Sequence, residues 1–229
     1  MADKPSRSLI LYGDGLARFI HTNLHSLASL SSCAFLTLSE TEDDRIVREF
    51  TLLLDASQQT LPDRFMGMKA AIMTLGFSVV QLDGLAVEIL KLLGFQEGKV
   101  LDNSQFDLVF IHVFVDALVG AIMRQAQPGS DVGSRLHLSV VMSYGKVLEK
   151  DSCFLTLYPL QSYAMKGGDV RLHSPMLIAQ LQHAVTRKDN VQRFTFQDFM
   201  KNGGNLTIPA DRFLHEIAFK MWKAPKYGA

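Results

Sequence analysis

The chain has only two cysteines and one tryptophan, and neither charge is in surplus: 23 Lys plus Arg face 23 Asp plus Glu. Two cysteines cannot build a disulfide framework, and Cys33 and Cys153 both sit in apolar surroundings. The expected setting is therefore reducing and intracellular, cytoplasmic or nuclear. A net charge of zero removes the electrostatic basis for binding nucleic acid or an anionic membrane surface. No apolar run approaches the roughly 18–20 residues of a membrane span. The start, Met1-Ala2-Asp3-Lys4-Pro5, lacks a signal core. No glycine-rich loop has the spacing of a dinucleotide or P-loop fingerprint, since Gly13-Asp14-Gly15 lacks the third glycine. There is no Gly-x-Ser-x-Gly elbow. Neither cysteine has the basic neighbours of an activated thiolate. His21 and His25 lie four apart without an acid at metalloprotease spacing, and read as a partly exposed face.

What is present is an α/β pattern. With 229 residues, 48% of them hydrophobic, the chain can bury a full core, and one domain over 1–229 is the simplest organisation. Residues 8–12 read as a buried strand closed by Gly13-Asp14-Gly15, with a helical apolar spacing from Leu16 to Leu30. Ala34–Leu38 is a second strand, and the acidic run Glu40–Asp44 a solvated loop or helix start. A strand within Ala70–Val80 and a helix over Leu85–Leu93, closed by Gly94, follow. Phe106–Val113 reads as the central parallel strand, Val115–Gln125 as a helix and Leu136–Ser143 as another strand. Phe194–Met200 and Arg212–Trp222 are helical, the latter started by Pro209-Ala210-Asp211. This alternation predicts a three-layer sandwich: a mostly parallel central sheet with helices on both faces.

Three residues stand out as ligand candidates. Asp14 closes the first strand, where α/β sheets bind ligands, as a ligand or as a cap of the next helix between Gly13 and Gly15; Asp116 follows the Phe106–Val113 strand, as a ligand or a helix N-cap; His173 precedes the apolar run at 176–180 in a predicted loop. His112, inside the strand, reads as a core histidine or as a neighbour of such a site.

Several segments taken together resemble the alkaline phosphatase superfamily, and within it the archaeal type of cofactor-independent phosphoglycerate mutase. Leu9–Gly15 is similar to the family's opening strand with its metal-binding aspartate. Thr22-Asn23-Leu24-His25-Ser26-Leu27-Ala28 is similar to its Thr-Pro-Asn-Leu-Asp-x-Leu-Ala segment without the proline. Phe106–Val113 resembles a Phe-Val-x-Val-His strand, Lys166–Ile178 a loop carrying Lys-x-His-Ser, and 187–229 the family's ending around Gly203-Gly204. The resemblance implies an alkaline-phosphatase-like core and gives Asp14, Asp116 and His173 to a divalent metal, Mn²⁺, Zn²⁺ or Mg²⁺.

The chain also departs from that pattern. Only Ser57 loosely stands where the nucleophile belongs, and Leu155–Ser162 holds neither Asp nor His where the family has Thr-Gly-Asp-His. The chain is short, so the inserted cap domain is expected to be missing or vestigial. Two-metal phosphoryl transfer needs two cations about 4 Å apart and an activated hydroxyl. Three ligands could hold one ion but would not easily hold a pair. The resulting expectation is a non-catalytic member acting through a protein partner or self-association, without nucleic acid or membrane. The apolar residues near Phe114, Leu118 and Met123, or Met66–Met68, are candidates for that face as well as for plain core. The alternative is a residual metal-dependent phosphatase, phosphodiesterase or phosphomutase that uses Asp14 and His173.

Overall fold

A computed structural model describes residues 7–13, 22–39, 51–54, 60–74, 82–112, 115–143, 170–204 and 207–225. The elements in chain order are β1 (Arg7–Gly13), α1 (Thr22–Leu30), β2 (Ser32–Ser39), α2 (Leu61–Arg64), β3 (Ala70–Thr74), α3 (Leu82–Leu92), β4 (Phe95–Gln96), β5 (Lys99–Val100), β6 (Leu108–His112), α4 (Val115–Gln125), α5 (Asp131–Arg135), β7 (Leu136–Ser143), β8 (Val170–Leu181), α6 (Phe196–Asn202), β9 (Thr207–Pro209), a 3₁₀ turn (Ala210–Arg212) and α7 (Phe213–Lys220).

The main sheet has seven strands in the order β3-β6-β1-β7-β8-β2-β9. β1 runs parallel to β6 and β7, β3 parallel to β6, and β9 parallel to β2. Among the described strands β8 alone is reversed, antiparallel to both β7 and β2. The mixed but mostly parallel α/β architecture is the expected one.

Alternation along β1 sorts the core into two faces. Leu9 and Leu11 join Leu24 and Leu27 of α1, Ile89 of α3, Leu118 and Ile122 of α4 and Phe199 of α6. Ile10 and Tyr12 join Phe65, Met68 and the Phe213, Leu214, Ile217 and Ala218 stripe of α7. Helices thus cover both sides. That is why β7, in the middle of the sheet, has all eight residues buried.

Several expectations shift. The Phe106–Val113 strand is Leu108–His112, and it lies second from the edge with β3 outside it. Its unbroken apolar run reflects cover on both faces rather than a central position. The last helix opens with a 3₁₀ turn, and β9, a three-residue strand ending at Pro209, was not expected. His173 lies within β8, not in a loop. Leu118 and Met68 are fully buried and Met123 packs on the core, so of the residues considered for a partner face only Met66, 63% exposed, stands out of it; Phe114 lies outside the described residues. Leu16–His21, the acidic run Glu40–Asp44, Ser57, Cys153 and Leu155–Ser162 also lie outside them.

Candidate functional site

Parallel strands end together, and their shared carboxyl edge is where a ligand site forms in this architecture. Register fixes which residues stand there. Tyr12 pairs with His112, which pairs with Thr74, while Gly13 pairs with Met142. The last residue of β7, Ser143, pairs with Met176 of the reversed strand β8. His112 is therefore the terminal residue of β6. It is half-buried, with its ring 5.5 Å from that of the buried Tyr12.

Upstream of Met176, β8 runs past the end of β7 toward this same edge. Met176 pairs with Leu36 of β2 and Arg171 with Leu38, so Leu172, His173, Ser174 and Pro175 stand opposite Thr37 alone. Proline has no N–H to give the ladder, and the surplus residues bulge out of it. The backbone thus carries His173 to the carboxyl edge. Asp14, the residue after Gly13, is outside the described residues, and the structure describes only the backbone of His173.

Asp116 is fully described. It sits in the first turn of α4, where the helix dipole favours a carboxylate. Its role is at another helix: Oδ1 accepts the Leu24 amide at 2.9 Å and Oδ2 accepts the Asn23 side-chain amide at 3.0 Å. Leu24 lies in the first turn of α1, where backbone N–H groups have no intrahelical acceptor. Asp116 satisfies one of them from across the helix pair, and so is not the cap of its own helix. One turn on, a Cβ at Gly120 would lie 2.5 Å from Asn23 Oδ1, so glycine is what admits this close approach. Of the three ligand candidates, only Asp116 has a described side chain, and both its oxygens serve the α1–α4 tie. Among the described residues there is no group of three His, Cys, Asp or Glu able to hold a metal ion.

The remaining titratable candidates serve structure. His25 is half-buried, and its Nδ1 accepts the Phe194 amide at 3.1 Å, fastening the segment ahead of α6. The Cys33 thiol is 3.6 Å from the Ala28 carbonyl. Burial pushes its pKa far up, helped by the Asp189 and Asp198 carboxylates, so it is no nucleophile at neutral pH.

A second polar group lies on the α7 face, toward the opposite edge of the sheet. His137 and Ser139 of β7 are completely buried there. Gln180 of β8 reaches both, Nε2 lying 3.4 Å from His137 Nε2 and donating to Ser139 Oγ at 3.3 Å. Lys220 of α7 donates to Gln180 Oε1 at 2.8 Å. One sequence signal marks this group: in Leu136-His137-Leu138-Ser139-Val140, polar residues alternate with apolar ones inside a strand buried on both faces.

No protein-family model and no curated protein sequence matches the chain. A solved structure does. The chain shares its fold with the PH0037 protein of Pyrococcus horikoshii. The superposition has a TM-score of 0.55 at 13% identity and covers 98% of this chain and 99% of that one. At that identity the likeness concerns architecture alone. No helix among the described residues is long and apolar enough to cross a membrane.

Proposed function

We propose that this chain is a non-catalytic member of the alkaline phosphatase superfamily that acts as an interaction or regulatory protein, through a protein partner or self-association. The observation that supports this reading is Asp116. The carboxylate that the resemblance gives to a metal is engaged by both oxygens in holding α1 against α4. A carboxylate in that position has a structural reason to persist once metal chemistry is gone. The sequence departures point the same way, with no convincing nucleophile and no Asp or His in Leu155–Ser162.

The alternative is residual metal-dependent phosphoryl transfer through Asp14 and His173. The β8 bulge favours it, because it brings His173 to the edge at which β1 ends. One experiment separates the two. The purified protein is titrated with Mn²⁺ and Zn²⁺ while its melting temperature and its hydrolysis of p-nitrophenyl phosphate are followed, with Asp14→Ala in parallel. The non-catalytic reading expects no turnover and the same melting response in both proteins. An ion bound at 100 times its Kd would stabilise the fold by about 2.7 kcal/mol. Metal-dependent turnover that disappears in Asp14→Ala overturns the proposal and establishes the alternative.

A further inference from the structure

The polar group on the α7 face, buried at His137 and Ser139 and half-buried at Gln180 and Lys220, contains a hydrogen-bond conflict. The Lys220 ammonium can only donate, so its 2.8 Å contact fixes the oxygen of the Gln180 carboxamide on the lysine side. The amide nitrogen is thereby turned to His137 Nε2 and Ser139 Oγ. Facing a donor, Nε2 must be the bare, accepting nitrogen, and in a neutral ring the proton then belongs to Nδ1. Nδ1 is fully buried and has no hydrogen-bond partner among the described residues. The lysine thus dictates, through one amide, a histidine tautomer with a buried donor left unused. A protonated imidazolium would be worse. Its Nε2–H would oppose the amide N–H, and burial together with the Lys220 charge already holds the His137 pKa well below the ordinary value.

The conflict has a second solution. A neutral lysine amine has a lone pair and can accept the Gln180 N–H. The amide can then turn over, place its oxygen on His137 Nε2–H, and take the Ser139 hydroxyl as a further donor. We propose that the Gln180 carboxamide is a proton-linked switch, with its oxygen on Lys220 while that side chain is an ammonium and on His137 once the amine is neutral. Loss of a proton at the last residue of α7 is thereby recorded as a change of tautomer in the middle of the sheet.

The surroundings place the transition within reach. Among the described residues no carboxylate lies within ion-pair distance of Lys220. Burial lowers its pKa to about 8, against a smaller opposing pull from Glu216 one turn back on α7. From β7 the facing titratable group is His137. From β8 the facing group is the uncharged Gln180; on β1 the uncharged Ser8 neighbours His137, its Oγ donating to the His137 carbonyl at 3.3 Å. Arg7 turns to the other face and donates to the Leu93 carbonyl.

The test is the tautomer of His137 by nitrogen NMR on the full chain, with the signal assigned through His137→Gln. In the wild type the ring proton is expected on Nδ1 at pH 6.5 and on Nε2 at pH 9.5. In Lys220→Met, of similar length and without the amine, it is expected on Nε2 throughout. One tautomer across the range in the wild type, or the same transition in Lys220→Met, overturns the proposal.

Melting temperatures give an independent reading. Folded Lys220 releases its proton near pH 8 rather than at the ordinary 10.5, so between those values the unfolded chain binds more protons. Stability relative to Lys220→Met must therefore rise as pH rises from about 8 to 10.5. The variant is expected to melt several degrees above the wild type at pH 7, with the gap closing toward pH 10. A gap independent of pH counts against the switch.

Discussion

Asp189→Ala is expected to cost this protein about 3–5 kcal/mol. The side chain is 6% exposed and holds three residues at once. Oδ2 accepts the Cys33 amide at 2.9 Å and the Gly204 amide at 3.1 Å, and Oδ1 accepts Arg187 Nε at 2.8 Å. Its own amide donates to the Ser31 carbonyl at 3.0 Å. One carboxylate thus joins the start of β2, the glycine pair before β9 and the chain leaving β8. Truncation leaves the Cys33 N–H buried without an acceptor and the Gly204 N–H partly so, at about 1–3 kcal/mol for each orphaned group. A chain of this size loses about 2–4 °C per kcal/mol, so the melting temperature should fall by roughly 6–20 °C. Arg187→Ala provides the contrast. That side chain is 55% exposed, and an ion pair with so much solvent around it contributes less than about 1 kcal/mol. Urea melts of the two variants decide the matter. Equal losses would show that the ion pair, not the backbone amides, is what Asp189 contributes.

Asp116→Ala is expected to lower stability by about 2–3 kcal/mol, with Asp116→Asn recovering part of the loss. The alanine variant abandons the Leu24 amide and the Asn23 side chain together; an asparagine oxygen can still accept from Leu24. Because Asn23 also packs over Gly120, the damage should extend into the α1–α4 contact. Amide hydrogen exchange would report it as lost protection in the first turn of α1. A variant that melts like the wild type, with α1 still protected, would remove the structural role and with it the main support for the non-catalytic reading.

Both carboxylates show where the sequence stops speaking. Val115–Gln125 and Leu136–Ser143 are legible to the residue, because Pro128-Gly129 and the change of hydrophobic period mark them locally. The helix expected to end at Gly94 also stands, with that glycine at φ +79°. What a single pass along the chain does not contain is pairing. Asp116 is as good an N-cap for its own helix as for α1, and only the fold brings Leu24, 92 positions earlier, to its oxygens. The reversal of β8 is hidden for the same reason. A strand buried on both faces reads identically in either direction, and its bulge exists only against β2. β9, at three residues, is too short for any periodicity. His137 was visible as a polar residue in an apolar strand, yet its tautomer depends on a lysine on the last helix.

The place of β2 in the sheet also sets a timetable. Among the described strands it pairs with β8 and β9, and with none made before it. During synthesis at roughly 5–20 residues per second, the roughly 130 residues between Ser39 and Val170 take on the order of 10 s to emerge. Through that interval the apolar segment Cys33-Ala34-Phe35-Leu36 has left the ribosome with no native edge to join. β1, β3 and β6 can meet earlier, since β6 follows β3 closely. The first half of the nascent chain therefore carries a sticky, unmatched strand of its own, and its survival depends on whatever shields that segment until the reversed strand arrives.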